Sequence, residues 1–278
     1  MKLSLVAVDL DGTLLGGTSG RYGFLPAGVE ALRLAARQQA IVAIATGRDL
    51  PFILELLERE KVNPVVESWP QVIVSEERCI HYLNDGMVYV PDAEWNDKIL
   101  QAERSRFDAI LQGVNELLAG ELAAIDPSAS RVMGEVEQRR GFVEIRFGSA
   151  DAARSSEAVL SAWLRSHKLP YTAVRNVAGI AIRHASAGKG PVLLEVCRKL
   201  GIAPPELLAI GDSCNDLSML DGRLGFAAAV PGNAESEVKA AVQAIGGYIA
   251  NGRFGEGVAE AVNRALTDPP FAAGGKAG

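Results

Sequence analysis

Cysteine and histidine are both scarce, three of each in 278 residues, and neither is spaced for chemistry. Cys79, Cys197 and Cys214 are too few and too scattered for a disulfide framework, and no paired Cys/His spacing of the kind that holds zinc accompanies them. A reducing, cytoplasmic setting is the expectation. His81, His167 and His184 are dispersed and are expected in structural or surface roles. Positive charge is also short: 28 Lys and Arg against 34 Asp and Glu give a formal net charge of -6. Nucleic-acid and anionic-membrane surfaces need clustered cations, so neither partner is expected, and an anionic ligand must be held locally by a few placed groups or a metal. Aromatic residues make up 6% of the chain, and Trp69, Trp95 and Trp163 are expected to pack rather than to serve as sugar-stacking platforms. No apolar run approaches the roughly 20 residues of a membrane-spanning helix. The run Leu3 to Val8 is far too short for that or for a signal-peptide core, and it reads as a buried strand of a soluble protein. There is no internal repeat, and the one low-complexity stretch is the Gly/Ala-rich tail after Pro270, whose order is not readable from the sequence.

What is present is a series of short, nearly continuous apolar runs: Leu3 to Val8, Ile41 to Ala45, Val72 to Val74, Leu207 to Ile210 and Leu224 to Ala229. Such runs suit strands covered on both faces, hence a parallel sheet. Helical patterns lie between them. One opens at Asp49, a suitable N-cap, with Pro51 in its first turn; another runs from Pro191 through Leu200, with Gly201 placed to cap it. The alternation predicts a doubly wound, Rossmann-like α/β core formed by residues 1–78 and 186–278. The middle, residues 79–185, reads differently. It begins with a hairpin signal, Cys79 to Leu83 and Met87 to Val90 around Asn84-Asp85-Gly86, and continues with a long helical stretch at about 92–120. Phe142 to Phe147 then alternates as a one-sided strand, and a helix around Ala152 to His167 precedes a strand pair near Tyr171 to Val174 and Gly179 to Arg183. This is an inserted α+β unit.

The chemistry concentrates where the apolar runs end. Asp9-Leu10-Asp11-Gly12-Thr13 follows the first run, at the carboxyl end of a strand, where open α/β sheets bind ligands. A lone Asp-x-Asp is more often an acidic turn. Gly211-Asp212-Ser213-Cys214-Asn215-Asp216 follows another run and brings two more carboxylates to the same rim, a set that suits Mg²⁺ with its preference for a few carboxylate oxygens. N-capping by Asp212 or Ser213 would by itself explain that second motif as well as metal ligation does; the two motifs together favour metal. Thr46-Gly47-Arg48 ends a third run, and Gly188-Lys189-Gly190 opens the helix that leads back to the second acidic motif. A hydroxyl, a glycine amide and an ammonium are groups that hold and neutralise a phosphoryl dianion.

With these four motifs in this order the chain resembles the haloacid dehalogenase-like phosphatase superfamily, across the whole predicted core. The resemblance implies that Asp9 attacks phosphorus and that Asp11 is general acid and base. It implies Mg²⁺ on Asp9, on the main-chain carbonyl of Asp11 and on Asp212, with Asp216 as ligand or as support, and phosphoryl oxygens held by Thr46, Gly47, Lys189 and Asn215. Asp11 favours phosphate chemistry over carbon-halogen cleavage, because the dehalogenases do not need the second carboxylate. The 79–185 insertion lies where the family places a type C2 cap, which is expected to close over the site. The chain is most similar to the sucrose-phosphatase and Cof-like branch, through Pro91-Asp92-Ala93-Glu94-Trp95 and Tyr248-Ile249-Ala250-Asn251 with Gly255 and Gly257. It departs from many relatives after the third strand, where Ser75-Glu76-Glu77 replaces an Asn-Gly pair. The implied activity is hydrolysis of a small phosphorylated metabolite, with a sugar phosphate the first expectation and Arg48 and Glu76 as candidate specificity residues. A nucleotide or phosphorylated cofactor is the alternative substrate. A mutase is disfavoured because the Leu14 to Pro26 gap is too short for the cap that mutases insert there. An idle phosphosugar-binding protein is disfavoured because every motif carboxylate is present. Arg146 and Arg183, on the polar sides of strands in the insertion, are expected to be solvated, with the cleft the other place either could face. Oligomeric state is not readable from the sequence.

Overall fold

The computed structural model describes residues 2–17, 22–85, 87–134 and 141–267. Gly86 of the hairpin turn and the tail after Pro270 lie outside the described residues. The chain divides into two compact units, residues 1–92 with 189–278 and residues 93–188.

The first unit is built on an eight-stranded sheet in the order Tyr248–Ile249, Ala227–Val230, Leu207–Ile210, Leu5–Val8, Ile41–Ala45, Val72–Ser75, Cys79–Leu83 and Tyr89–Pro91. The first six strands are parallel, and the last two are a hairpin added antiparallel at the edge. Because the run Leu5–Val8 is apolar at every position, both faces of its strand can be covered, and all four residues are buried. Val6 and Val8 share a core cluster with Val42, Ile44, Leu208 and Ile210 and with Leu32 and Ala35 of the helix Pro26–Arg37 and Val258 and Val262 of the helix Gly255–Thr267. The helix Lys189–Leu200 lies outside that cluster and packs on Val72–Ser75 and Cys79–Leu83. The strand Leu5–Val8 is thus flanked by Leu207–Ile210 on one side and Ile41–Ala45 on the other, and the three carboxyl ends lie side by side.

The insertion boundary differs from the expected 79 and 185. The hairpin 79–91 pairs with the main sheet, Ile73 opposite His81 and Val74 opposite Ile80, because the turn at 76–78 reverses the chain at once and leaves the next strand beside the one it has just left. The second unit therefore begins at Ala93, and it ends at Gly188. It contains the helices Ala93–Ser105, Phe107–Ala119, Glu121–Ile125 and Ala150–Ser166 and an antiparallel sheet in the order Tyr171–Asn176, Gly179–His184, Val143–Arg146, Ser130–Arg131. The one-sided alternation of Val143 and Ile145 is observed: both are buried with Ile180, Ile182, Val114 and Leu160. The helical stretch at 92–120 is broken into two helices at Arg106. Arg183, expected to be solvated, is buried. Among the described residues no helix is long and apolar enough to cross a membrane.

Candidate active site

The first acidic loop starts while still bonded to the sheet: the Asp9 N–H donates to the Ile210 carbonyl at 2.9 Å. The chain then folds tightly, with Thr13 N–H on Leu10 O at 3.1 Å, Leu14 N–H on Asp9 O at 3.2 Å and Gly12 N–H on Leu15 O at 3.1 Å. Gly12 has φ +84°, and a Cβ there would lie 2.4 Å from Asp212 Oδ2, so both the backbone conformation and the approach of the second acidic loop demand glycine. The two loops are tied directly, since the Thr13 hydroxyl donates to Asp212 Oδ1 at 2.7 Å.

Asp9, Asp212 and Asp216 each bring a carboxylate oxygen within 4.8 Å of the others. Lys189, the first residue of its helix and fully buried, donates to Asp9 Oδ1 and to Asp216 Oδ1, each at 2.5 Å. Burial works against the ammonium charge, but Asp216 and then Asp9 outweigh it and hold Lys189 above the ordinary lysine range. Burial pushes Asp9 up to about 8; Lys189 pulls it down, while Asp216 and Asp212 push the same way as burial. Asp212 rises to about 7, through burial first and Asp216 second. Three converging carboxylates against one ammonium leave an excess of negative charge at a site made only of hard oxygen donors, and that donor set fits Mg²⁺. Asp216 Oδ2 also accepts from the N–H groups of Asp212 and Ser213 at 2.8 and 3.0 Å, which fixes the second loop from inside.

Asp11 is not in this cluster. Its side chain takes Arg48 Nε at 2.8 Å on one oxygen and Arg48 Nη2 at 3.0 Å on the other, and the Tyr22 hydroxyl at 3.2 Å. Burial acts to raise Asp11, yet the Arg48 fork prevails and holds it below the usual carboxylate range. Thr46 is buried, and its hydroxyl accepts from the Arg48 N–H at 3.2 Å. Glu76, a candidate specificity residue, is paired with Arg78 Nη2 at 2.8 Å. Asn215 donates from Nδ2 to Glu77 Oε1 at 2.8 Å and accepts the Ser213 hydroxyl on Oδ1.

Two supporting residues escape the sequence reading, and a third has another partner than expected. Glu77, expected with Glu76 to accept from a polyol, accepts from Asn215. Thr13 belongs to a motif already singled out, so its contact was within reach. Asn233 was not: its Nδ2 donates to the Gly12 carbonyl at 2.7 Å and its Oδ1 accepts from Phe254 N–H at 2.6 Å, bracing the first loop from a turn after the strand Ala227–Val230. A Pro-Gly-Asn turn following an apolar run is the only signal it leaves.

A family model described as haloacid dehalogenase-like hydrolase matches residues 6–87 and 170–261. The chain belongs to that family. Among similar proteins, the phosphoglycolate phosphatase of Pyrobaculum aerophilum is 26% identical over 277 residues, 96% of this chain and 97% of that protein. The phosphoglycolate phosphatase of Methanothrix thermoacetophila is 39% identical, but over 103 residues, 37% of this chain and 44% of that protein. In fold, the sucrose-phosphatase of Synechocystis, solved with sucrose and phosphate, superposes with a TM-score of 0.72 at 18% identity, covering 95% of this chain and 98% of that one.

Proposed function

We propose that this hydrolase is a Mg²⁺-dependent phosphomonoesterase of a small phosphorylated metabolite, acting through a phospho-aspartate on Asp9. The observation that carries the reading is the buried Lys189 bridging buried Asp9 and Asp216 beside the half-buried Asp212, a set with hard donors and one fixed cation. Asp9 Oδ2, unlike Oδ1, is not engaged by Lys189 and is the oxygen assigned to attack phosphorus, breaking the bond to the leaving oxygen. Asp11 protonates that oxygen and then takes a proton from the water that hydrolyses the phospho-aspartate. Its pairing with Arg48 keeps it ionised, the form the second step needs; the first step requires Arg48 to release it. An ammonium has three donors, and Lys189 has one left for a phosphoryl oxygen after its two carboxylates; the Thr46 hydroxyl, the Gly47 amide and Asn215 complete that hold. Asp9, the Asp11 carbonyl and Asp212 would ligate Mg²⁺, with Asp216 keeping the loop in place. When bound, the cation offsets the repulsion between Asp9 and a phosphate dianion.

For the substrate, a sugar phosphate is the first reading, in keeping with the sucrose-phosphatase fold neighbour. Phosphoglycolate is the second, and Arg48 favours it: its side chain is 48% exposed beside Asp11, and a guanidinium fork suits a carboxylate. The test is p-nitrophenyl phosphate hydrolysis with Mg²⁺, with EDTA, and in Asp9→Asn, followed by kcat/KM across hexose and disaccharide phosphates, phosphoglycolate and pyridoxal phosphate. Turnover should require Mg²⁺ and vanish in Asp9→Asn; undiminished turnover in either control refutes the mechanism.

A further inference from the structure

The turn after the strand Val72–Ser75 carries a carboxylate that no step above uses. Glu77 is 4% exposed, and both it and Glu76 adopt left-handed backbone, with φ +55° and +51°. Non-glycine residues hold that conformation only where surrounding bonds impose it. Here the Glu76 N–H donates to Arg48 O at 2.8 Å, the Glu77 N–H to Thr46 O at 2.9 Å and the Arg78 N–H to Ser75 O at 3.0 Å. The turn is thus stitched to the Thr46-Gly47-Arg48 segment, and it delivers the Glu77 carboxylate into the interior, where Oε1 accepts from Asn215 Nδ2 at 2.8 Å.

This bond decides which way the Asn215 carboxamide points. Its oxygen takes the Ser213 hydroxyl and its nitrogen faces a carboxylate. Turning the amide over would set its oxygen against the Glu77 carboxylate, two acceptors in contact without a proton between them. Building on the phosphatase reading, we infer that Glu77 is a positioning residue: by holding one Asn215 N–H it commits the other to a phosphoryl oxygen, and it couples that donor to Thr46 through its own main chain. A donor that holds the phosphoryl group equally in the bound substrate and at the transition state affects KM and leaves kcat nearly unchanged.

The decisive variant is Glu77→Asp, which keeps charge and polarity but withdraws the acceptor by one methylene; Glu77→Gln keeps length and an acceptor oxygen and serves as the rescue. Hydrogen bonds to charged groups are worth roughly tenfold to a hundredfold in affinity, so Glu77→Asp should raise both KM for p-nitrophenyl phosphate and Kd for orthophosphate by about that factor. Its kcat should stay within about threefold of the parent, and Glu77→Gln within about threefold on all three measures. In an Asn215→Ala background the Glu77→Asp change should add less than about twofold, because the group it positions is gone. Orthophosphate binding within about twofold of the parent in Glu77→Asp, an equal loss in the Asn215→Ala background, or a protein that melts instead of losing phosphate each overturns the assignment. A parent protein that neither turns over p-nitrophenyl phosphate nor binds orthophosphate overturns the phosphatase reading itself; an active parent with the wrong variant pattern overturns Glu77 alone.

Discussion

Replacing Lys189 by methionine isolates the electrostatics of the buried cluster. Methionine fills much of the same volume, so packing changes little, while the ammonium that meets Asp9 and Asp216 at 2.5 Å is removed. Deleting one partner of a buried ion pair typically costs about 3–5 kcal/mol, since the charge left behind is neither solvated nor compensated. For a chain somewhat above 250 residues each kcal/mol corresponds to roughly 2–4 °C, so the melting temperature in EDTA should fall by roughly 6–20 °C. The loss should depend on pH with a definite sign. The Asp9 value in the native protein is raised, to about 8 from 3.8, so the native state binds more protons than the unfolded chain in that window and stability falls as pH rises through it. Without Lys189 the pull that lowers Asp9 is gone, which steepens the fall. At pH 5.5 protonation relieves Asp9 and the penalty should shrink; at pH 8.5 it should be full. Calorimetric melts of parent and Lys189→Met at the two pH values provide the measurement. A loss below about 1 kcal/mol at pH 8.5, or one as large at pH 5.5, would refute the assignment of Lys189 as the compensating charge.

Three further outcomes are expected. Asp11→Ala should cut turnover by roughly 100- to 10,000-fold while Mg²⁺ binding, followed by calorimetry, stays near the parent value, because the main-chain carbonyl proposed as the ligand survives. Mg²⁺ affinity should fall as pH drops through about 8 and then about 7, where the Asp9 and Asp212 carboxyls in turn take up protons that a cation must displace, by about tenfold per pH unit for each proton; a flat profile between pH 5.5 and 7.5 excludes both as ligands. Gly12→Ala places a methyl 2.4 Å from Asp212 Oδ2 on a left-handed backbone, and should weaken both stability and Mg²⁺ binding, where a neutral change in both would show that the loops are not packed as described.

The parallel core was legible because its strands are apolar at every position, so Leu5–Val8 and Leu207–Ile210 could hardly be anything but covered on both faces. The hairpin 79–91 was misassigned because a strand's pattern reports which faces are covered and says nothing of its neighbours; only the turn at Glu76 and Glu77 reveals that it joins the main sheet. The approach of Asp9, Lys189 and Asp216 followed from the strand ends. The engagement of Asp11 by Arg48 did not, since Arg48 reads as a candidate specificity residue facing substrate and nothing in the spacing pairs it with Asp11. Arg183 was misread for a related reason: alternation predicts the side of a strand, and both sides of Gly179–His184 carry buried residues.

The register Leu5 opposite Leu207 closes a very long loop, about half of which is the inserted unit. Closing entropy grows only with the logarithm of length, so doubling such a loop costs about 0.6 kcal/mol. A compact unit with its own buried core, as Phe107, Val143, Leu160 and Ile182 provide here, adds even less, because it spans a shorter distance than an open loop of the same length. The core can therefore host a different insertion between Asp92 and Lys189 at almost no expense to its own stability. Selectivity carried by the insertion would then be free to change on a timescale set by its own packing, while the strand-end carboxylates stay fixed by a sheet that scarcely registers what has been spliced into it.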